Sequence, residues 1–147
     1  MKVIAKQLEQ IVNDYSAKFF ALAESELSFK PAAEKWSKKE IIGHLIDSAQ
    51  NNIRRFVVTQ YQTDPHVVYA QNDWVRVQGY ADYNSKDLIT LWQLLNKHIV
   101  VILNKMPAEH YMLQCNTGKD NNEFHTLEFL ANDYITHHLH HLKQIVQ

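Results

Sequence analysis

The sequence predicts an all-α protein, one four-helix bundle spanning residues 1–147, and three observations carry that expectation. With 3 glycines and 3 prolines in the whole chain, there is too little turn chemistry for a fold of many short strands. Four long stretches repeat apolar residues at spacings of three and four, the pattern of a helix with one buried face. A chain of 147 residues that is 46% hydrophobic suits one core rather than two domains.

The first helix is expected over about 3–23, where Ile4, Leu8, Ile11, Tyr15, Phe19 and Leu22 form the apolar stripe. A loop around "SFKPAAEKW" follows and contains Pro31. The next four residues, "SKKE", read as a capping box. The Ser37 hydroxyl accepts from the amide three residues on and Glu40 reaches back, opening a second helix over about 38–59. Asp64 and Pro65 break the pattern, and residues 66–84 are poorly patterned apart from one short helix around "NDWVRVQ". Ser85 is expected to cap a third helix over about 86–105, with Leu88, Leu91, Trp92, Leu95, Ile99, Ile102 and Leu103 as its stripe. Pro107 lies just past its end. Residues 108–125, with Gly118 inside "NTGKDNNE", read as a loop, and a fourth helix is expected over about 126–146. No sheet of consequence is expected.

A formal charge of −1, with both signs scattered along the chain, offers no basic field to nucleic acid or an anionic membrane. The expected partner is a small molecule. The single cysteine, Cys115, excludes an intrachain disulfide and suggests a reducing compartment. "MKVIAKQLEQ" has no secretory signal pattern and no stretch reaches the length of a membrane span, so a cytoplasmic location is expected. Cys115 sits in a presumed loop without a neighbouring motif and reads as a small hydrophobe rather than a nucleophile. Trp36, Trp74 and Trp92 are assigned to the core or a pocket wall. His66, His98, His110 and His125 lack a partner at ligand spacing and are read as surface or loop residues.

The chemistry concentrates in "THHLHHLKQI", residues 136–145. An affinity tag is an uninterrupted run, and Leu139 breaks this one. His137 and His141 are four residues apart, so their rings project side by side from one turn to the next and can bind one cation. His140 points away from the apolar arc of that helix. His138 lies near the middle of the arc and is expected to be a buried, hydrogen-bonded core residue rather than a ligand. On the second helix, Ile41, Ile42, Leu45, Ala49, Ile53 and Phe56 form the apolar arc at about 100° per residue. His44, Ser48, Asn51 and Arg55 run beside it as a polar ridge, which is either a solvated face or the lining of a cleft. From a facing helix, His44 can supply a third nitrogen.

"KPAAEKWSKKEIIGHLIDSAQNNIRRF" resembles the tryptophan-then-"HL-D" segment of the DinB-like superfamily, and "HHLHHLKQI" resembles its C-terminal HxxxHxxQI pattern. "QNDWVRVQGY" and "CNTGKDNNEFHTLEFLANDYITHH" are similar to its branch of metal-dependent hydrolases related to bacillithiol S-transferases. The resemblance implies a DinB-like four-helix bundle that binds one divalent cation, often zinc or nickel, through His44, His137 and His141. His138 and His140 exceed what the motif needs. Three neutral imidazoles leave a coordination position open, where a water would be acidified for hydrolysis or a thiol held as thiolate for group transfer.

Asp47, a turn beyond His44, either orients an imidazole, accepts a proton, or is an exposed helix carboxylate. Arg55, about three turns from His44, grips a substrate carboxylate or makes a surface ion pair, and Asn51 on the same ridge is a further candidate substrate contact. Three functions compete. They are a transferase that activates a low-molecular-weight thiol against an electrophile, a metal-dependent hydrolase, and a non-enzymatic stress-related protein with a structural or adventitious metal. A homodimer is the expected assembly.

Overall fold

Side-chain caps set the start of three of the four long helices in the computed structural model, which describes residues 1–147. Helix α1 spans Lys2–Ala21 and α2 spans Glu24–Ser28. Helix α3 spans Lys38–Val58, α4 Gln71–Gln78, α5 Ser85–Lys105 and α6 Leu127–Val146. The capping box before α3 is as expected: Glu40 N–H donates to Ser37 Oγ at 3.2 Å and Ser37 N–H to the Glu40 carboxylate at 2.8 Å. Thr126 caps α6 by accepting from the Phe129 amide.

Two expectations shift. Helix α5 is capped by Asn84, not Ser85, because the Asn84 carbonyl oxygen accepts from the amides of both Lys86 and Asp87. Ser85 Oγ instead donates to Glu24, which also accepts from Ser28 and Lys39 and so ties α2, α3 and α5 together. The first helix ends at Ala21 rather than near residue 23, since Leu22 turns to extended backbone and the Glu26 carboxylate caps the Ala23 amide to start α2.

Around the bundle, α1 packs on α5, α5 on α3, α3 on α6 and α6 on α1. The apolar arcs meet in one core built around Phe19, Leu45, Phe56, Ile99 and Trp92, with the Phe19 and Trp92 rings 5.0 Å apart. Burying side chains of this size, at roughly 1.5–3 kcal/mol each, supplies the main driving force for folding.

The 108–125 stretch is not all loop. It holds a small hairpin in which β1, Gln114–Asn116, pairs antiparallel with β2, Phe124–Thr126. The Asn116 side chain closes its tip by accepting from the amides of Gly118 and Glu123. The chain after α3 joins this hairpin, as Val67 N–H donates to Asn116 O and Asn116 N–H to Pro65 O. Helix α4 then ends at Gly79, whose φ of 66° is the left-handed conformation that glycine adopts without strain. The reversal turns Tyr80 inward onto α3 at Gly43, where any Cβ would lie 2.1 Å from the Tyr80 ring. Residues 65–82 thus form a strap across α3. No helix is long and apolar enough to cross a membrane.

Candidate metal centre

Because α3 and α6 are neighbours, His44 faces the wall formed by His137 and His141. One nitrogen from each of the three lies within 4.8 Å of the others. His44 Nε2 and His137 Nε2 are 3.1 Å apart. The three ring centroids are 4.7–5.1 Å apart, with planes inclined by 72–74°. His44 is 1% exposed, and Trp36 covers its ring at 5.1 Å.

Burial, reinforced by the neighbouring imidazoles, drives the His44 pKa down to about 3 and that of His137 to about 4, and burial lowers His141 as well. At neutral pH all three are therefore uncharged donors, the state that metal ligation requires. Gln144 Oε1 lies 3.0 Å from His141 Nδ1, so the neutral ring donates there and keeps Nε2 free. These features fit a divalent cation, and no fourth histidine, cysteine or carboxylate joins the group.

The other two histidines of the cluster separate as the helical wheel suggests. His138 is 0% exposed, and its Nε2 accepts from Trp92 Nε1 at 2.9 Å with the two rings stacked. His140 is exposed, and its one hydrogen-bond partner is the Gln144 amide at 3.1 Å.

The polar ridge of α3 is not a solvated face, since His44, Ser48 and Asn51 are all buried, and of its four residues only Ser48 and Arg55 line a recess. Asp47 is not an exposed carboxylate either. It is 0% exposed, and its Oδ1 accepts from Tyr80 OH and Gln78 Nε2, both at 2.5 Å. Its Oδ2 has no partner, and it forms no hydrogen bond to an imidazole. Burial, opposed by those two hydrogen bonds, lifts its pKa to about 6. The Asn51 amide donates to the Asp47 carbonyl of its own helix. Nor is Arg55 in a surface ion pair: its Nε and Nη2 donate to Val67 O at 3.2 and 3.1 Å, anchoring the strap, and no carboxylate pairs with it.

Two voids lie near the histidines, and only the smaller one is lined by a member of the triad, His137. A cleft of about 960 Å³ runs between the 30–36 loop and the strap, walled by Trp36, Ile41, Arg76, Tyr80 and Gln144. It meets the triad through Trp36 over His44 and Gln144 on His141. On the other side lies a polar recess of about 120 Å³ lined by Ser48, Asn52, Arg55, Tyr69, Tyr134 and His137, with Asp133 at its edge.

Trp36, expected in the core or a pocket wall, lines the cleft. Asn52, Tyr69 and Gln144 were given no role by spacing, and of these only Gln144 carried a signal, as the glutamine of HxxxHxxQI. His66, His110 and His125 bond instead to Gly118, Gln60 and Glu123, and His98 is exposed. Cys115 is buried with its Sγ on Pro65 O, and burial raises its pKa, leaving an inert thiol.

The DinB superfamily model matches residues 7–145. Among solved structures, YfiT from Bacillus subtilis, described as a probable metal-dependent hydrolase with an unusual four-helix bundle topology, superposes with a TM-score of 0.82. Its sequence identity is 20%, over 96% of this chain and 83% of YfiT. A mycothiol-dependent maleylpyruvate isomerase superposes with a TM-score of 0.72 at 14% identity, over 99% of this chain and 66% of the isomerase. A histidine-to-alanine variant of that isomerase gives 0.70 at 13% identity. At such identities the likeness establishes the shared fold. No curated protein matches the sequence.

Proposed function

The chain belongs to the DinB superfamily, and from that premise we propose that it is a metal-dependent thiol S-transferase in which His44, His137 and His141 hold one divalent cation, zinc or nickel. The observation that carries this reading is the convergence of three neutral imidazoles, with a small recess lined by His137 and a wide cleft lined by the Trp36 and Gln144 that contact His44 and His141. A transferase must hold a thiol and an electrophile at once, and a wide cleft beside a small polar recess suits two ligands of unequal size. The cation would supply Lewis acidity to a thiol or water reaching its open position. The mycothiol dependence of the isomerase supports a thiol as one partner.

This chain's own groups divide the remaining work. Gln144 holds His141 in its ligating tautomer and Trp36 shields His44 from water. Asp47, with a pKa near 6 and an uncommitted Oδ2, is the proton acceptor, while its Oδ1 fixes the Tyr80 wall of the cleft. Arg55 faces the charged end of a ligand, and Asn51 stays a secondary contact of the ridge. A cytoplasmic homodimer belongs to the same reading.

Hydrolysis is the second reading, supported by the description of YfiT. It uses the same residues with water in place of the thiol. A purely structural metal is disfavoured because no fourth protein ligand closes the site. The deciding experiment incubates metal-loaded protein with low-molecular-weight thiols and an electrophilic dye, in parallel with ester and amide substrates. Metal-dependent dye conjugation is the expected result. Turnover confined to esters or amides would make the protein a hydrolase, and no turnover of either kind would favour the structural metal.

A further inference from the structure

We propose that the recess beside His137 is a binding site for a small carboxylate, in which Arg55 supplies the charge and Tyr69 the hydrogen bond that fixes orientation. This deepens the proposed function by naming the ligand class of its smaller void, and it rests on that reading only for the neighbouring metal.

Arg55 lines the recess. A guanidinium carries five N–H donors, and here Val67 O, a neutral acceptor, takes donors from Nε and Nη2. Burial lowers the arginine pKa, the mark of a cation held away from water. Asp133 acts on it only from a distance across the recess and forms no ion pair with it. A withdrawn cation without a counter-ion is costly, and an anionic ligand relieves that cost. The edge formed by Nη1 and the second hydrogen of Nη2 remains free, and it matches a carboxylate in two parallel hydrogen bonds.

The rest of the lining narrows the ligand class. The Tyr69 phenol opens on the recess and is protonated at neutral pH, so it donates rather than repels. The Ser48 hydroxyl is spent on Tyr69, which leaves the phenol proton free for a ligand. Asn52 contributes none from its amide nitrogen, which is spent on the Ser48 carbonyl. A volume of about 120 Å³ admits a carboxylate and a short carbon stub, where the cleft of about 960 Å³ would take far larger groups. The negative Asp133 at the edge opposes a dianion, which disfavours phosphate.

The placement of Tyr69 depends on Arg55 as well. Val67 accepts from Arg55 while its own N–H donates to Asn116 O, and Tyr69 follows two residues later. Arg55 therefore both charges the recess and positions its hydrogen-bond donor.

The test is an NMR titration of the full-length, metal-free protein with acetate, and separately with inorganic phosphate, repeated after zinc loading. Acetate should shift the resonances of residues lining the recess, and phosphate should bind more weakly. Tyr69→Phe should weaken acetate binding about tenfold, the usual consequence of losing one hydrogen bond to a charged group. Arg55→Lys, which keeps a charge and a donor for Val67, should weaken it similarly by losing the paired geometry. Unchanged acetate affinity in Tyr69→Phe, tighter binding of phosphate than of acetate, or no acetate binding by the metal-free protein would overturn the proposal. Failure of the protein to take up zinc while these acetate effects persist would overturn the metal reading and leave the carboxylate site standing.

Discussion

His137 and His138 are adjacent on α6, and burial depresses the pKa of both far below that of a free imidazole, to about 4 and about 3. Their surroundings nevertheless divide the helix into two regions. On one side, His138 gives its Nε2 to Trp92 and stacks in the core beside Tyr134, whose hydroxyl is in turn bonded to Asn96. On the other, His137 Nε2 points at His44 Nε2, with His141 beside it, and neither Nε2 has a hydrogen-bonding partner other than the facing ring. A depressed histidine pKa therefore does not identify a metal ligand. Both faces of α6 keep their histidines neutral, and only the face whose nitrogens converge on one another has lone pairs left to give.

That contrast is broken most severely at the metal side. His137→Ala should lower zinc affinity by at least about a hundredfold while the thermal transition of the metal-free protein moves little, as a chelator-competition titration would register. Affinity within a few-fold of the unaltered protein would mean that His137 is not a ligand.

His138→Ala should do the reverse. It leaves a cavity and strips Trp92 Nε1 of its acceptor, at a cost of about 3 kcal/mol by denaturant unfolding, with metal stoichiometry unchanged. The pH dependence sharpens this. The folded-state pKa of His138 is depressed to about 3, so the unfolded chain binds the extra proton first. The stability it contributes is full above the unfolded value near 6.5 and is lost as pH falls toward 3. The metal-free His138→Ala variant should lose less stability than the parent across that window. Identical losses would show that His138 does not govern this acid sensitivity.

Gln144→Ala tests the support beneath the metal side. Freed from its acceptor, His141 loses its fixed tautomer, and metal affinity should fall about tenfold. An undiminished affinity would reduce Gln144 to a surface bridge between His140 and His141.

A smaller, purely kinetic effect is expected from the ridge. Arg55→Ala should raise the KM of a carboxylate-bearing thiol several-fold, with metal content unaltered. An unchanged KM would confine Arg55 to anchoring Val67.

Much of the architecture was legible because helical periodicity is a local property. The stripes of α1, α3, α5 and α6, the Ser37 box and the opposite fates of His138 and His140 all follow from positions on a wheel. What escaped depends on contacts between distant segments. Asp47 and Asn51 look like an ordinary polar face until residues 65–82 fold back over them. Tyr69 lies in a stretch without pattern, and contacts with distant segments, the Arg55–Val67 hydrogen bonds among them, bring it to the site. The hairpin strands are three residues long, too short for alternation to register. Asn84 and Ser85 are both competent caps, and the choice between them turned on Glu24, far away on α2.

The central claim is that His44, His137 and His141 form one metal site while the remaining histidines of the cluster do not. Its most direct test is metal content, measured on tag-free protein by elemental analysis, in His44→Ala and His140→Ala. The account predicts less than about a tenth of an equivalent in the first and one equivalent in the second, since affinity rests on all three ligands together. Full occupancy in His44→Ala, or loss of the metal in His140→Ala, would contradict it.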